Sequence, residues 1–166
     1  MSTKVEIRAR APLRISLAGG GTDIPPYPHL HGGAVLSLTI DLSARVRMRA
    51  PSSRVTVSSP DLRDGEHRER RADLVRATLA AFGATADVEA SCDVPPGSGL
   101  GASSALAVAL GAAAAALHDD ELDPGELARR AVFVERTKLA LPGGLQDAYA
   151  AAFGGVNYIR FEGDDV

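Results

Sequence analysis

Tryptophan is absent, and the 166 residues include only three tyrosines and four phenylalanines. Aromatic platforms on which exposed bases might stack are therefore scarce. A formal net charge of −3 argues against a broad phosphate-tracking surface, so nucleic acid is not an expected partner. With the single cysteine Cys92, no intrachain disulfide and no cysteine-built zinc cage can form. Nothing in the sequence suggests a histidine metal site either, and His29 and His31 read as surface residues. Long hydrophobic runs are missing as well. The most apolar stretch, Ala102 to Leu117, is mostly alanine and shorter than the roughly 20 residues a bilayer needs. The start, Met1 to Glu6, lacks the apolar core of a signal peptide. A cytoplasmic protein with no membrane partner is expected, long enough for one well-filled core and too short for two typical domains.

Strand-like runs fill the first third of the chain. Val5, Ile7 and Ala9 alternate with charged residues, and Arg14 to Ala18 follows Pro12 before glycines interrupt it. Ala34 to Leu42, Ala44 to Arg49 and Arg54 to Val57 read as three more strands. Asp61 to Arg71, crowded with charges of both signs, reads as a solvated loop. A helix is expected over Ala72 to Phe82, stopped at Gly83, and a half-buried strand over Val88 to Val94 with Cys92 on its apolar side. Next come an alanine-rich helix from Ala102 to His118, with Leu106, Leu110 and Leu117 as its stripe, and a helix from Asp123 to about Leu139. Asp123-Pro124-Gly125-Glu126 is a strong helix start: the aspartate caps, the proline fits the first turn and the glutamate completes the box. Pro142-Gly143-Gly144 breaks the chain, a short helix carries Gln146 to Ala152, and Val156 to Phe161 closes as a strand. Strands first and helices later define an α+β fold rather than a doubly wound sheet.

The most informative stretch is Pro95-Pro96-Gly97-Ser98-Gly99-Leu100-Gly101-Ala102-Ser103-Ser104. Its glycines permit turns that turn successive N–H groups toward an anion, and a helix start with unpaired N–H groups follows. A Walker A loop is excluded because Ala102 stands where that motif needs lysine. Gly97-x-Gly99-x-x-Ala102 also fits a loose dinucleotide fingerprint, with Asp119 or Asp120 at a suggestive distance. Those aspartates lead into another helix, however, and not to the end of a second strand. Phosphate binding is the expected role.

Pro95 to Ala105 resembles the central motif of the GHMP kinases, the family of galactokinase, homoserine kinase and mevalonate kinase. Two further blocks agree in order. Ala11 to Asp23 is similar to the family's N-terminal sugar-binding motif, and Pro142 to Tyr149 to the segment carrying its active-site aspartate. Within the family, Ala18-Gly19-Gly20-Gly21-Thr22-Asp23-Ile24-Pro25-Pro26-Tyr27 most resembles the D-glycero-D-manno-heptose 7-phosphate kinases, with L-fucose kinases next. Galactokinases carry Glu-His where Gly20-Gly21 stand. The resemblance implies a ribosomal protein S5 domain 2-like N-terminal domain spanning residues 1–166, with a left-handed βαβ crossover that periodicity does not reveal. It implies ATP-dependent phosphorylation of a sugar or sugar-phosphate hydroxyl, the anomeric one of the heptose phosphate being expected. The rival readings are another kinase of this fold and a catalytically silent binding module.

The same resemblance assigns residues. Pro96, Gly97, Ser98, Gly99, Leu100, Gly101, Ser103 and Ser104 would hold the ATP phosphates, and Gly20, Gly21, Thr22 and Asp23 the sugar. Asp147 would accept or orient the proton of the attacking hydroxyl, though the helix dipole alone also favours an acid there. Arg14, a costly guanidinium among apolar neighbours unless paired, would keep Asp147 ionised. Ser103 and Glu135 would ligate Mg²⁺, the alternative for Glu135 being a pair with Lys138. Thr22-Asp23 before Pro25 is also good turn chemistry. The family's kinases continue into a second domain closing the active-site cleft. The expected partner is therefore a C-terminal domain or a separate chain supplying it, and the present chain is expected to be inactive alone and to expose an apolar patch.

Overall fold

A computed structural model describes residues 5–63, 65–163 and 165–166. Met1 to Lys4 of the start discussed above, and Asp64 of the charged segment, lie outside the described residues. The chain runs β1 (Val5–Ala18), α1 (Tyr27–His31), β2 (Gly33–Ala50), β3 (Thr56–Ser58), α2 (Glu66–Ala81) and β4 (Asp87–Cys92). There follow α3 (Ala102–Leu117), α4 (Pro124–Val132), a π-helical segment (Phe133–Lys138), α5 (Gln146–Phe153) and β5 (Val156–Phe161). These form one mixed sheet with helices against it, an α+β arrangement as expected.

The pairs of short strands expected at the start are two long ones. β1 pairs antiparallel with β2 along nearly its whole length, with irregularities at Pro12/Arg14 and Ser16/Ala18. On its other side, β2 carries β5 beside Gly33–Leu38 and β4 beside Ala44–Arg49. Serial strand signals merged because β2 has partners for both halves, and Ser43 between them donates its N–H to the Asp93 carboxylate. β3 joins β4 in parallel, so β3–α2–β4 is a βαβ unit.

Alanine explains the centre of the fold. α3 lies against β1 and β2 and is surrounded by α2, α4 and α5. Its residues from Ser104 to Gly111 are buried without interruption, so the expected leucine stripe is in fact almost the whole circumference. Short side chains let neighbours close in from several directions. A Cβ at Gly111 would stand 3.0 Å from Leu127 and 3.4 Å from Phe82.

The charged segment is corrected in part. α2 begins at Glu66, inside it, and Arg71 is buried. The Arg71 guanidinium donates to Asp61 and to the Ala90 carbonyl, while Asp61 accepts from the Cys92 N–H. Tertiary partners thus made a helix of a segment whose pattern carries no apolar period. Cys92 is partly buried against the core, as expected.

The outer face of the sheet divides in two. Around β1, β2 and β4 it carries arginines interleaved with acids, Glu6 taking Arg8 and Arg49, and Asp93 taking Arg45. At the other end Ile15, Leu38 and Val156 share one cross-strand row and Leu36 and Tyr158 the next. Val156, Tyr158 and Leu17 are exposed. Among the described residues, no helix is long and apolar enough to cross a membrane.

Candidate active site

The glycine loop between β4 and α3 owes its shape to three left-handed residues. Gly97, Gly99 and Gly101 have φ of 79°, 74° and 74°, where a side chain costs about 1–2 kcal/mol. Alternating them curls the backbone, and among the described residues none of the N–H groups from Gly97 to Gly101 donates to a protein acceptor. The loop runs directly into the N-terminus of α3, capped only by Gly101 backbone. Unpaired N–H groups and the positive end of a helix dipole thus face one place. Pro96 to Gly99, Gly101, Ser103 and Ser104 line a cleft of about 470 Å³. Leu100 is turned aside and packs against the core.

Arg14 and Asp147 meet at the foot of this loop. β1 presents Arg14 on its core side, 9% exposed, and α5 carries Asp147 in its first turn. Arg14 Nε and Nη2 lie 2.8 and 2.6 Å from Asp147 Oδ1. Nη1 donates to the Gly99 carbonyl at 2.8 Å, and the Arg14 N–H donates to the Leu100 carbonyl at 3.1 Å. A Cβ on Gly101 would fall 3.4 Å from Arg14 and 3.5 Å from Asp147, so loop, arginine and aspartate share one point. Burial pushes the Asp147 carboxyl above its ordinary range; Arg14 opposes this and the charge of Asp23 adds to it.

Glu135 accepts from Ser103 Oγ and Ser104 Oγ, both at 2.6 Å. It is buried, no cation among the described residues pairs with it, and burial raises its pKa. The alternative partner Lys138 lies over the Phe133 ring instead. The continuous helix expected through Leu139 is α-helical only to Val132; around Glu135 it widens into a π-helix, with the Leu139 N–H donating to the Val134 carbonyl. A π segment rotates later residues relative to an α-helix, and such segments gather at functional sites. Sequence spacing could not show it.

The expected sugar-side loop follows β1. Asp23 is wholly buried, its oxygens accepting from the Gln146 N–H, Gln146 Nε2 and the Gly21 N–H. Thr22 Oγ1 donates to the Gly19 carbonyl and accepts from the Ala34 N–H. The turn chemistry of these two residues is thus realised where the loop folds back on α5 and β2, with Asp23 buried and Thr22 half-buried. Gly20 and Gly21 remain exposed. Sequence reasoning missed Gln146, whose buried Oε1 has no partner, and Gly144, whose Cβ would stand 1.7 Å from Asp23 Oδ2.

A cradle for an anion beside an arginine-held carboxylate is the equipment of phosphoryl transfer. Residues 70–155 match the family described as GHMP kinases N terminal domain, and the chain belongs to that family. Among its relatives is a D-glycero-alpha-D-manno-heptose 7-phosphate kinase of Campylobacter jejuni, 34% identical over 93% of this chain and 50% of its own length. An L-fucokinase/L-fucose-1-P guanylyltransferase of Bacteroides fragilis is 26% identical over 92% of this chain and 20% of its own. A solved D-glycero-D-manno-heptose 1-phosphate kinase from Bacteroides thetaiotaomicron superposes with a TM-score of 0.84 at 32% identity, covering 98% of this chain and 58% of that one. The chain therefore spans about half the length of the heptose-phosphate kinases it matches.

Proposed function

We propose that this chain is the ATP-binding domain of a kinase that phosphorylates a sugar-phosphate hydroxyl, the anomeric one of D-glycero-D-manno-heptose 7-phosphate. The observation that carries the reading is the convergence of the glycine loop, Arg14 and Asp147 on one point. In this reading the loop N–H groups, Ser103 and the start of α3 hold the ATP phosphates, while the exposed Gly20 offers backbone to the sugar. The acceptor oxygen attacks the γ-phosphorus, the bond from that phosphorus to the β–γ bridging oxygen breaks, and ADP leaves. Asp147 Oδ2, which accepts no hydrogen bond from a described residue, takes the acceptor's proton. Arg14 keeps Asp147 in place and offsets negative charge on the attacking oxygen.

Ser103 and Glu135 suit Mg²⁺, being hard oxygen donors on the cleft wall with Glu135 uncompensated by any protein cation. Among the described residues no group of three or more His, Cys, Asp or Glu gathers, so the remaining ligands would be phosphate and water oxygens. When bound, the metal would offset negative charge on the ATP phosphates. The open side of the cleft is the place for a second domain, in the same polypeptide or another, to exclude water.

A coupled ADP-release assay tests the reading with D-glycero-D-manno-heptose 7-phosphate, the unphosphorylated heptose, L-fucose and galactose, on this chain and on it joined to the missing half of a relative. Release that depends on the heptose 7-phosphate supports the proposal. Release driven by L-fucose alone would replace it with the L-fucose kinase reading, and ATP binding without release to any sugar would favour a binding module.

A further inference from the structure

The first N–H groups of any α-helix lack intrahelical acceptors and want a cap. Leu145, at the N-cap of α5, supplies none. The acceptor comes instead from 123 residues earlier: Asp23 Oδ2 takes the Gln146 N–H at 3.0 Å. Asp23 Oδ1 takes Gln146 Nε2 at 3.2 Å and the Gly21 N–H at 3.2 Å. One fully buried carboxylate thus joins the glycine turn after β1 to the first residue of α5, and the next residue is Asp147. Gly144 closes the other side, with no room for a Cβ against Asp23 Oδ2.

We propose that Asp23 is a positioning residue, a remote cap that sets the start of α5 and so holds Asp147 against Arg14, and that it is not a direct sugar ligand. A carboxylate at a helix start is doubly favoured, accepting an orphan N–H and meeting the positive dipole end. The charge also lies close enough to raise the proton affinity of Asp147. Losing the cap frees α5 to shift, and a misplacement of about 1 Å at a reacting group can cost on the order of 10²-fold in rate.

Hydrogen exchange read at the Gln146 amide, with parallel kinetics, tests the cap. In the parent chain this amide is protected; Asp23→Ala is expected to speed its exchange about tenfold or more. Asp23→Asn, whose amide oxygen still accepts the Gln146 N–H, keeps most of the protection. Gly144→Ala approaches the lock from the other side and speeds exchange too. Added to Asp23→Ala it does nothing more, since the shorter side chain leaves space for the methyl. The kinetic half rests on the kinase reading: Asp23→Ala and Gly144→Ala lower kcat about 10- to 100-fold while the sugar KM stays within about threefold, and Asp23→Asn is nearer the parent. Unchanged Gln146 exchange in Asp23→Ala would overturn the cap. So would a sugar KM raised more than about tenfold with kcat intact, the signature of a direct ligand. A parent protein that turns over no sugar removes the kinase reading alone, and exchange still decides whether Asp23 caps α5.

Discussion

Arg14 grips Asp147 by a single oxygen: Nε and Nη2 both point to Oδ1, at 2.8 and 2.6 Å, and Oδ2 accepts no hydrogen bond from a described residue. A bidentate fork would have engaged both oxygens and left a weaker proton acceptor. The one-sided grip fixes the carboxylate and leaves the second oxygen without a hydrogen bond, on a residue that lines the cleft. Arg14 is itself fixed by the Gly99 carbonyl, which ties this pair to the phosphate-facing loop.

Asp147→Asn is expected to lower turnover by about 10²–10⁴-fold, because the isosteric amide cannot take a proton. ATP affinity, measured by calorimetry, should stay close to that of the parent. Turnover within a factor of about two of the parent would remove Asp147 from the chemistry.

Arg14→Met should act through Asp147. Burial already raises the Asp147 pKa from 3.8, with Arg14 pulling against it, so removing the guanidinium raises it further. Activity requires the ionised carboxylate, so the acidic limb of the kcat profile moves to higher pH in the mutant. A limb that stays put while kcat falls would mean that Arg14 serves the transferring group and not the base.

Glu135→Gln separates stability from metal binding. The folded pKa of Glu135 is raised above 4.5, chiefly by burial. The group's contribution to stability is therefore fully present below about pH 4.5 and is lost as pH rises through the folded value. Thermal melts without metal should show the glutamine variant more stable than the parent near neutral pH, the gap closing toward acid. In kinase assays the same variant, and Ser103→Ala, should need more Mg²⁺ for half-maximal rate. Overlapping metal titrations for parent and both variants would place the metal elsewhere.

Gly99→Ala places a side chain at a φ of 74°. It should lower stability by about 1–2 kcal/mol in denaturant titrations and weaken ATP binding, since the loop must uncurl to relieve the strain. Lost stability with undiminished ATP affinity would show that the loop's curl serves folding and not phosphate.

Much of this protein is legible in one dimension. The Gly97, Gly99 and Gly101 alternation, the Asp123 cap and its hydrogen bond to Glu126, and the strand period of β4 are local features, fixed by backbone sterics and neighbours within a turn. Arg14, Ser103, Glu135 and Asp147 became candidates through the family resemblance, which is carried by three local motifs; their residue types alone also fitted a helix-dipole acid at Asp147 and an i,i+3 pair for Glu135. What the tertiary structure decided is where partners far apart in the chain compete. Two strand signals became one β2 because β4 and β5 both had room beside it, and α2 grew into a charged segment because Asp61 and Ala90 were there to receive Arg71. Glu135 met two serines through a π turn that no periodicity encodes. Asp23 carried both its readings in sequence, turn former and ligand. Burial against Gly144 and the uncapped Gln146 N–H directed its carboxylate inward, because a buried charge must find donors and the nearest belonged to α5.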